Sequence, residues 1–125
     1  MTNKNEFPQV LKDFISAVNS HDEKAFINAF ADDALVNDAS RNFWGREAIK
    51  KWSDEEMIKA KVTFETDEAT EHHGDYMITA LTNGAYDKTK APDPTYLDYY
   101  FSLKKDKIIS MFVFLNKKKS VNYKS

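Results

Sequence analysis

The chain has 125 residues, 42% of them apolar and 14% aromatic, which is enough for one domain, 1–125, with one hydrophobic core. Its formal charge of −2 argues against the strongly basic surface of nucleic-acid-binding proteins, and no stretch approaches the roughly 20 apolar residues of a membrane span. The chain has no cysteine, which excludes disulfides and thiolate catalysis, and its first residues lack the apolar segment of a signal peptide. We therefore expect a cytoplasmic protein that binds neither nucleic acid nor a membrane.

The N-terminal part of the chain predicts two helices. Apolar residues recur at helical spacing between Phe7 and Val18, which predicts a helix over about 6–19. Ser20 and Glu23 have the spacing of a capping box, so a second, short helix should follow. The pair Asp32-Asp33 is expected to end that helix.

A short hairpin is predicted after the second helix. An apolar strand begins at Leu35, residues 39–42 have the composition of a turn, and Phe43 starts a short return strand. Gly45 then opens a third helix, which carries Trp52 on its apolar side. The region should therefore form a strand, a turn, a second strand and a helix.

From Lys61 onward the apolar period changes from helical to two, which is typical of half-exposed strands. Residues 73–75 predict a hairpin turn, and 87–94 a polar loop that contains two prolines. The strands that follow the first are expected at 76–86, 96–104 and 107–116. Three helices and a meander of long strands place the chain in the α+β class.

The segment from Ile108 to Leu115 is nearly all apolar. A strand with one face in water should alternate between apolar and polar residues, so both faces of this strand are expected to be covered. Helices would cover one face. A second copy of the chain is the economical cover for the other, which predicts a homodimer through the outer face of the sheet.

Asp38, at the end of the first predicted strand, is a candidate functional residue. A carboxylate at the rim of an apolar hollow has its charged form destabilised, which suits it to act as a general base. In a solvent-exposed turn the same residue would only cap backbone N–H groups. The residues alone leave both interpretations open.

Asp98 and Tyr100 are two residues apart on a predicted strand and therefore share one of its faces. If that face points inward, Asp98 is a buried acid with the Tyr100 hydroxyl as its partner. In the other orientation Asp98 lies in water, and Tyr99 and Phe101 point inward. The sequence leaves these two orientations open as well.

The order of elements resembles that of the nuclear transport factor 2-like (NTF2-like) superfamily, and within it the SnoaL-like and ketosteroid-isomerase-like branch. The resemblance extends over about 7–115 and is carried by Ala17-Val18-Asn19 with Asp22, Phe30-Ala31-Asp32-Asp33-Ala34, Asp38, Gly45-Arg46-Glu47-Ala48-Ile49 and Lys107-Ile108-Ile109-Ser110-Met111. It implies a curved mixed or antiparallel sheet wrapped around a long N-terminal helix, with two further helices. The result is a cone with a pocket at its open end.

The resemblance also implies roles for individual residues. Asp38 falls where the isomerases of this branch carry a general base, and Asp98 lies near their protonated acid. Phe14 stands where those enzymes have a tyrosine that stabilises the oxyanion, and phenylalanine has no hydroxyl to donate. Losing one such donor typically costs about 10²–10³ in rate.

Two functions follow from this resemblance. The first is binding of a small hydrophobic ligand without an assigned activity; the alternative is a cofactor-free isomerase or cyclase that uses Asp38 as general base, with Asp98 or Tyr100 as hydrogen-bond donor. No cofactor or metal is expected, since the neighbouring His72 and His73 would point to opposite faces of a strand. The residues expected to line the pocket are Phe14, Val18, Trp52, Phe64, Met111 and Val113.

Overall fold

The computed structural model describes residues 7–38, 40–84 and 95–120 of the chain. Its helices are α1 Gln9–Ser20, α2 Glu23–Asn28, α3 Gly45–Ser53 and α4 Lys117–Ser120, and a π-helical turn, Asp54–Ile58, continues α3. Its strands are β1 Phe30–Asp38, β2 Arg41–Trp44, β3 Thr63–His72, β4 Asp75–Asn83, β5 Tyr96–Lys104 and β6 Lys107–Leu115. The α+β class is confirmed.

The six strands form one mixed sheet in the order β2-β1-β6-β5-β4-β3. The predicted meander is present, because β3, β4, β5 and β6 pair antiparallel in sequence order. β1 pairs in parallel with β6, which joins the N-terminal hairpin to the meander. The predicted loop at 87–94 lies outside the described residues.

One face of the sheet, here called the inner face, packs against α1. The Phe14 ring of α1 contacts Phe101 of β5 at 5.4 Å and Phe64 of β3 at 6.2 Å between ring centroids. The Asn19 side chain then fixes the end of the helix, since its amide donates to the Phe64 carbonyl (3.1 Å) and its oxygen accepts the Phe64 N–H (2.7 Å). Aromatic packing and this pair of hydrogen bonds hold α1 on the sheet.

The junction between α2 and β1 differs from the prediction in two ways. Ser20 is still part of α1, where its hydroxyl donates to the Ser16 carbonyl, and Asp22 caps α2 by accepting the Ala25 N–H at 3.1 Å. Asp32-Asp33 does not end the helix but lies within β1, which starts at Phe30. The two aspartates lie between Phe30 and Leu35, where the register of β1 against β6 shifts, so they occupy an irregular part of the strand rather than a turn.

Arg46 holds the start of β1 in place. Its guanidinium donates two hydrogen bonds to the Phe30 carbonyl, at 2.9 and 2.7 Å, and pairs with the Asp32 carboxylate at 3.2 Å. Gly45 precedes it with φ of +84°, a conformation that favours glycine and lets the chain turn from β2 into α3.

The two long hairpins turn where the sequence predicts. His73 and Gly74 join β3 to β4, and Lys105 and Asp106 join β5 to β6, all four with positive φ. Two-residue turns of this kind match the twist of the strands that they connect. Among the described residues, no helix is long and apolar enough to cross a membrane.

Candidate functional site

Asp38 lies at the end of β1 with its side chain on the inner face of the sheet. It is in register with Val113 of β6, whose side chain is buried. Its carboxylate Oδ2 accepts a hydrogen bond from the indole Nε1 of Trp52 at 3.2 Å. The helical periodicity of α3 places Trp52 inward, and 25% of the Asp38 side chain is exposed.

Arg41 connects Asp38 to a second carboxylate. Its guanidinium donates to Asp38 Oδ2 at 3.2 Å and forms a two-pronged pair with Glu56, at 2.9 and 2.8 Å. The hydrogen bonds that Arg41 donates to Glu56 raise the pKa of Arg41 above its ordinary value, and the nearby Asp38 charge adds to this effect. One cation therefore lies between two anions at this end of the sheet.

Two rings complete this group. Phe43 of β2 stacks on Trp52 with ring centroids 5.8 Å apart and an angle of 29°, and the Arg41 guanidinium lies 5.4 Å above the Phe43 ring. We refer to these residues as the rim cluster, which consists of Asp38, Arg41, Phe43, Trp52 and Glu56.

The sequence predicted only part of the rim cluster. Asp38 and Trp52 were expected at the site, whereas Arg41, Phe43 and Glu56 were not. The opposite charges of Asp38 and Arg41 on either side of a short turn are a signal that could have identified Arg41. No comparable signal exists for Glu56, because its position depends on the π-helical turn after α3.

The structure does not bring Asp98 and Tyr100 to Asp38. On β5, Tyr99 and Phe101 are 3% and 1% exposed and face inward, whereas Tyr100 is 44% exposed. Asp98 shares the outward side with Tyr100, since successive residues of a strand alternate. The predicted grouping of Asp38, Asp98 and Tyr100 is therefore corrected: the sheet separates Asp38 from the other two.

Asp98 instead binds neutral donors on the outer face of the sheet. Its Oδ1 accepts from the Thr79 hydroxyl at 2.6 Å and from the Asn116 side-chain amide at 3.1 Å. Asn116 in turn accepts the Lys119 N–H at 3.0 Å, which begins α4. Asp98 thus anchors the C-terminal turn to the sheet.

The six residues expected to line a pocket are buried in the structure, and neither of the two cavities described below includes them. Their exposed fractions lie between 0% and 7%: Phe14, Val18, Trp52, Phe64, Met111 and Val113. Phe14 alone contacts four other rings, those of Phe26, Phe30, Phe64 and Phe101. Phe14 is therefore enclosed by other rings.

Two cavities lined by described residues lie elsewhere. One, of about 680 Å³, is a groove between α1, α2 and the β5–β6 turn, with Asp13, Asp22 and Asp106 among its polar residues. The other, of about 470 Å³, lies beside Arg46 and the lysines of the same turn. Neither contains a residue of the rim cluster. Within the described ranges, no group of three or more histidines and acids could hold a metal ion.

Comparisons with solved structures identify the fold. A Sinorhizobium meliloti protein provisionally assigned as a polyketide cyclase superposes with a TM-score of 0.79 and 23% identity over 90% of this chain and 100% of that one. SalBIII, an epoxide hydrolase/cyclase-like enzyme of pyran ring formation in the polyether salinomycin, gives 0.74 and 20% over 94% and 96%. A Catenulispora acidiphila protein with a ketosteroid isomerase-like fold, solved with trimethylamine, gives 0.71 and 20% over 86% and 85%.

No protein-family model matches the chain, and no curated protein sequence matches it. At these identities the similarity concerns the fold. The chain has the NTF2-like fold, as the residues of the first helix, the first hairpin and the last strand predict.

Proposed function

We propose that the protein binds a small, largely apolar molecule at the rim cluster. The observation that supports this is the pairing of a buried indole with a carboxylate at the end of the inner face: Trp52 is 4% exposed and donates to Asp38. Ligand sites typically combine apolar and aromatic walls with a few polar groups that fix orientation. The rim cluster has both components.

Access to Trp52 and Phe43 requires the Arg41–Glu56 pair to move. The two side chains are 49% and 41% exposed, and an exposed ion pair typically contributes about 0–1 kcal/mol. A ligand that displaces this pair gives up little free energy and gains burial against two rings. The pair therefore acts as a weak cover over the apolar part of the cluster.

Binding is better supported than catalysis by proton transfer. Both hydrogen bonds that the Asp38 carboxylate accepts, from Arg41 and from Trp52, end on Oδ2, so a proton would have to be taken by Oδ1. The donors assigned by resemblance to stabilise an enolate, Asp98 and Tyr100, lie on the other face of the sheet. The cyclase and epoxide hydrolase/cyclase-like structures of this fold support a small-molecule site, and we infer one here without a reaction.

The test uses β-tetralone, a small apolar ketone with exchangeable α-protons, and the indole N–H signals of the two tryptophans in heteronuclear NMR spectra. We expect the Trp52 signal to shift saturably with added ketone. Trp44 follows Phe43 directly, but its side chain is 66% exposed on the opposite face of the sheet, so it is the internal control. The variant Trp44→Phe assigns the two signals.

Two outcomes decide the proposal. Equal or absent shifts of both indole signals would contradict a site at Trp52. Exchange of the α-protons is followed in parallel samples prepared in deuterium oxide. A faster exchange that the Asp38→Asn variant abolishes would favour the isomerase alternative over simple binding.

A further inference from the structure

The rim cluster holds a cation that belongs to the chain itself, the guanidinium of Arg41. This group donates two hydrogen bonds to Glu56, at 2.9 and 2.8 Å, and one to the Asp38 carboxylate at 3.2 Å. It also lies 5.4 Å from the centre of the Phe43 ring, in a cation–π contact. Carboxylates and aromatic faces are the groups with which proteins recognise organic cations. The cluster therefore offers a positive charge the partners that a ligand cation needs.

The charge of the cluster favours a positive ligand over a negative one. Asp38 and Glu56 carry two negative charges against the one positive charge of Arg41, which leaves a formal net charge of −1. The hydrogen bond to Glu56 is the main cause of the raised pKa of Arg41, so these surroundings stabilise the charged guanidinium. An anionic ligand would have to compete with two carboxylates for one guanidinium and would meet like charge beside it.

Asp38 has a carboxylate oxygen available for a further donor. Both of its described hydrogen bonds, from Arg41 and from Trp52, end on Oδ2. No donor within the described residues binds Oδ1. Since 25% of the side chain is exposed, an ammonium group that donates to Oδ1 need not displace the Trp52 indole.

We infer, on the basis of the binding site proposed above, that its ligand is a small organic cation: an ammonium group on an apolar body takes the place of the Arg41 guanidinium. The ammonium group donates to Asp38 and Glu56. The apolar body packs on the Trp52 and Phe43 rings once Arg41 has moved toward solvent. The rings favour an organic cation over a metal ion, because Mg²⁺ and Ca²⁺ are held by oxygen ligands.

Three probes with the same ring system test this inference: neutral β-tetralone, the cationic β-aminotetralin and the anionic tetralin β-carboxylate. The amine is protonated at neutral pH, as a lysine side chain is. Each probe is titrated against the indole N–H signal of Trp52, with Trp44 as the internal control. We expect the amine to bind about tenfold more tightly than the ketone, because its hydrogen bonds to carboxylates are charge-assisted, and the carboxylate to bind most weakly.

The variant Arg41→Gln removes the resident cation and leaves both carboxylates in place. Its affinity for the amine should rise about tenfold, and its affinity for the ketone should change far less, because only the amine replaces the missing charge. Lys51→Gln is the matched control. It removes an equal charge from an exposed lysine next to Trp52 in the sequence and leaves Arg41 on Glu56, so its affinity for the amine should stay close to that of the wild type.

The outcomes distinguish the charge of the ligand from the existence of the site. If the ketone shifts the Trp52 signal but the amine binds no more tightly, in the wild type and in Arg41→Gln, the inference is overturned and the proposed site remains. Tighter binding of the carboxylate than of the amine would also overturn it, since Arg41 would then be the group that holds the ligand. If none of the three probes shifts the Trp52 signal, the site and its cation are both refuted.

Discussion

The two faces of the sheet differ most sharply at adjacent residues of one strand. Phe101 is 1% exposed and contacts Phe14 of α1, whereas Tyr100, one residue earlier, is 44% exposed beside Phe114. Both residues are large and aromatic, so their chemistry does not explain the difference. The difference lies in what packs against each face: α1 packs against the inner face, and no described element packs over Tyr100. The exposure of an aromatic residue on this strand therefore depends on whether a helix packs over its face of the sheet.

The two aspartates first assigned to one site show the same division. Asp38, on the inner side, binds a charged guanidinium at an exposed rim, and Asp98, on the outer side, binds the neutral side chains of Thr79 and Asn116. The exposed ion pair between Arg41 and Asp38 can open at little cost in free energy. The hydrogen bonds of Asp98 cost more to break, because one of them comes from the hydroxyl of the buried Thr79. Asp38 is therefore suited to a binding site and Asp98 to holding the fold together.

The largest expected effect separates the two faces directly. Phe101→Ala removes a ring from the core and should lower the free energy of unfolding by about 3–5 kcal/mol. Tyr100→Ala removes a ring from an uncovered face and should change the stability of the monomer far less. Urea unfolding of each variant at low protein concentration measures both effects. A loss for Tyr100→Ala as large as that for Phe101→Ala would contradict the division into two faces.

Substitutions of the two aspartates should lower the free energy of unfolding by smaller amounts. Asp98→Ala leaves the Asn116 amide and the Thr79 hydroxyl, which is 1% exposed, without their acceptor, and should cost about 1–3 kcal/mol. Asp98→Asn keeps an acceptor oxygen and should cost less. Asp38→Ala removes an exposed pair and the acceptor of one donor, the Trp52 indole N–H, rather than of two, so a loss near the lower end of that range, about 1 kcal/mol, is expected. The same urea measurement orders the three variants; a reversed order would assign the structural role to Asp38.

Most of the fold could be predicted because the apolar periodicity of a helix or a strand is contained in its own short stretch of sequence. The helical spacing from Leu11 to Val18 and the alternation that begins at Val62 each identify an element without reference to the rest of the chain. The boundary between α2 and β1 could not be predicted in this way. Asp32 and Asp33 favour a turn locally, but they lie in a strand whose partner, β6, is far along the chain and whose register shifts between Phe30 and Leu35.

Some residues of the site could be predicted from the sequence, but the face of the sheet on which each side chain lies could not. A shift of one residue in a strand moves every side chain to the opposite face, so the position of Asp98 depends on a register that its aromatic neighbours do not reveal. The residues expected to line a pocket were recognised as apolar and inward. Whether inward rings such as Phe14 and Phe64 leave a hollow depends on how they interlock, and periodicity does not contain that information.

The smallest expected effect concerns α4, which contacts the edge strand β3. Lys119 of α4 donates to the Asp67 carboxylate on β3 at 2.7 Å, and this hydrogen bond raises the pKa of Lys119 above the ordinary lysine value of 10.5. A raised pKa in the folded state means that the ammonium form stabilises the fold. The contribution is complete below about pH 10.5 and disappears as the pH rises through the higher, folded-state pKa.

Melting temperatures of the wild type and Lys119→Met, compared from neutral to strongly alkaline pH, test this contribution. The wild type should melt slightly higher at neutral pH, and the difference should shrink only in the alkaline range. Lys118→Met is the control, because it removes an equal charge one residue away and leaves the Lys119–Asp67 pair intact. If both lysine variants lose the same amount at every pH, α4 is not held by this pair. The hydrogen bonds of Ser120 to the Tyr96 backbone would then be what keeps it on the sheet.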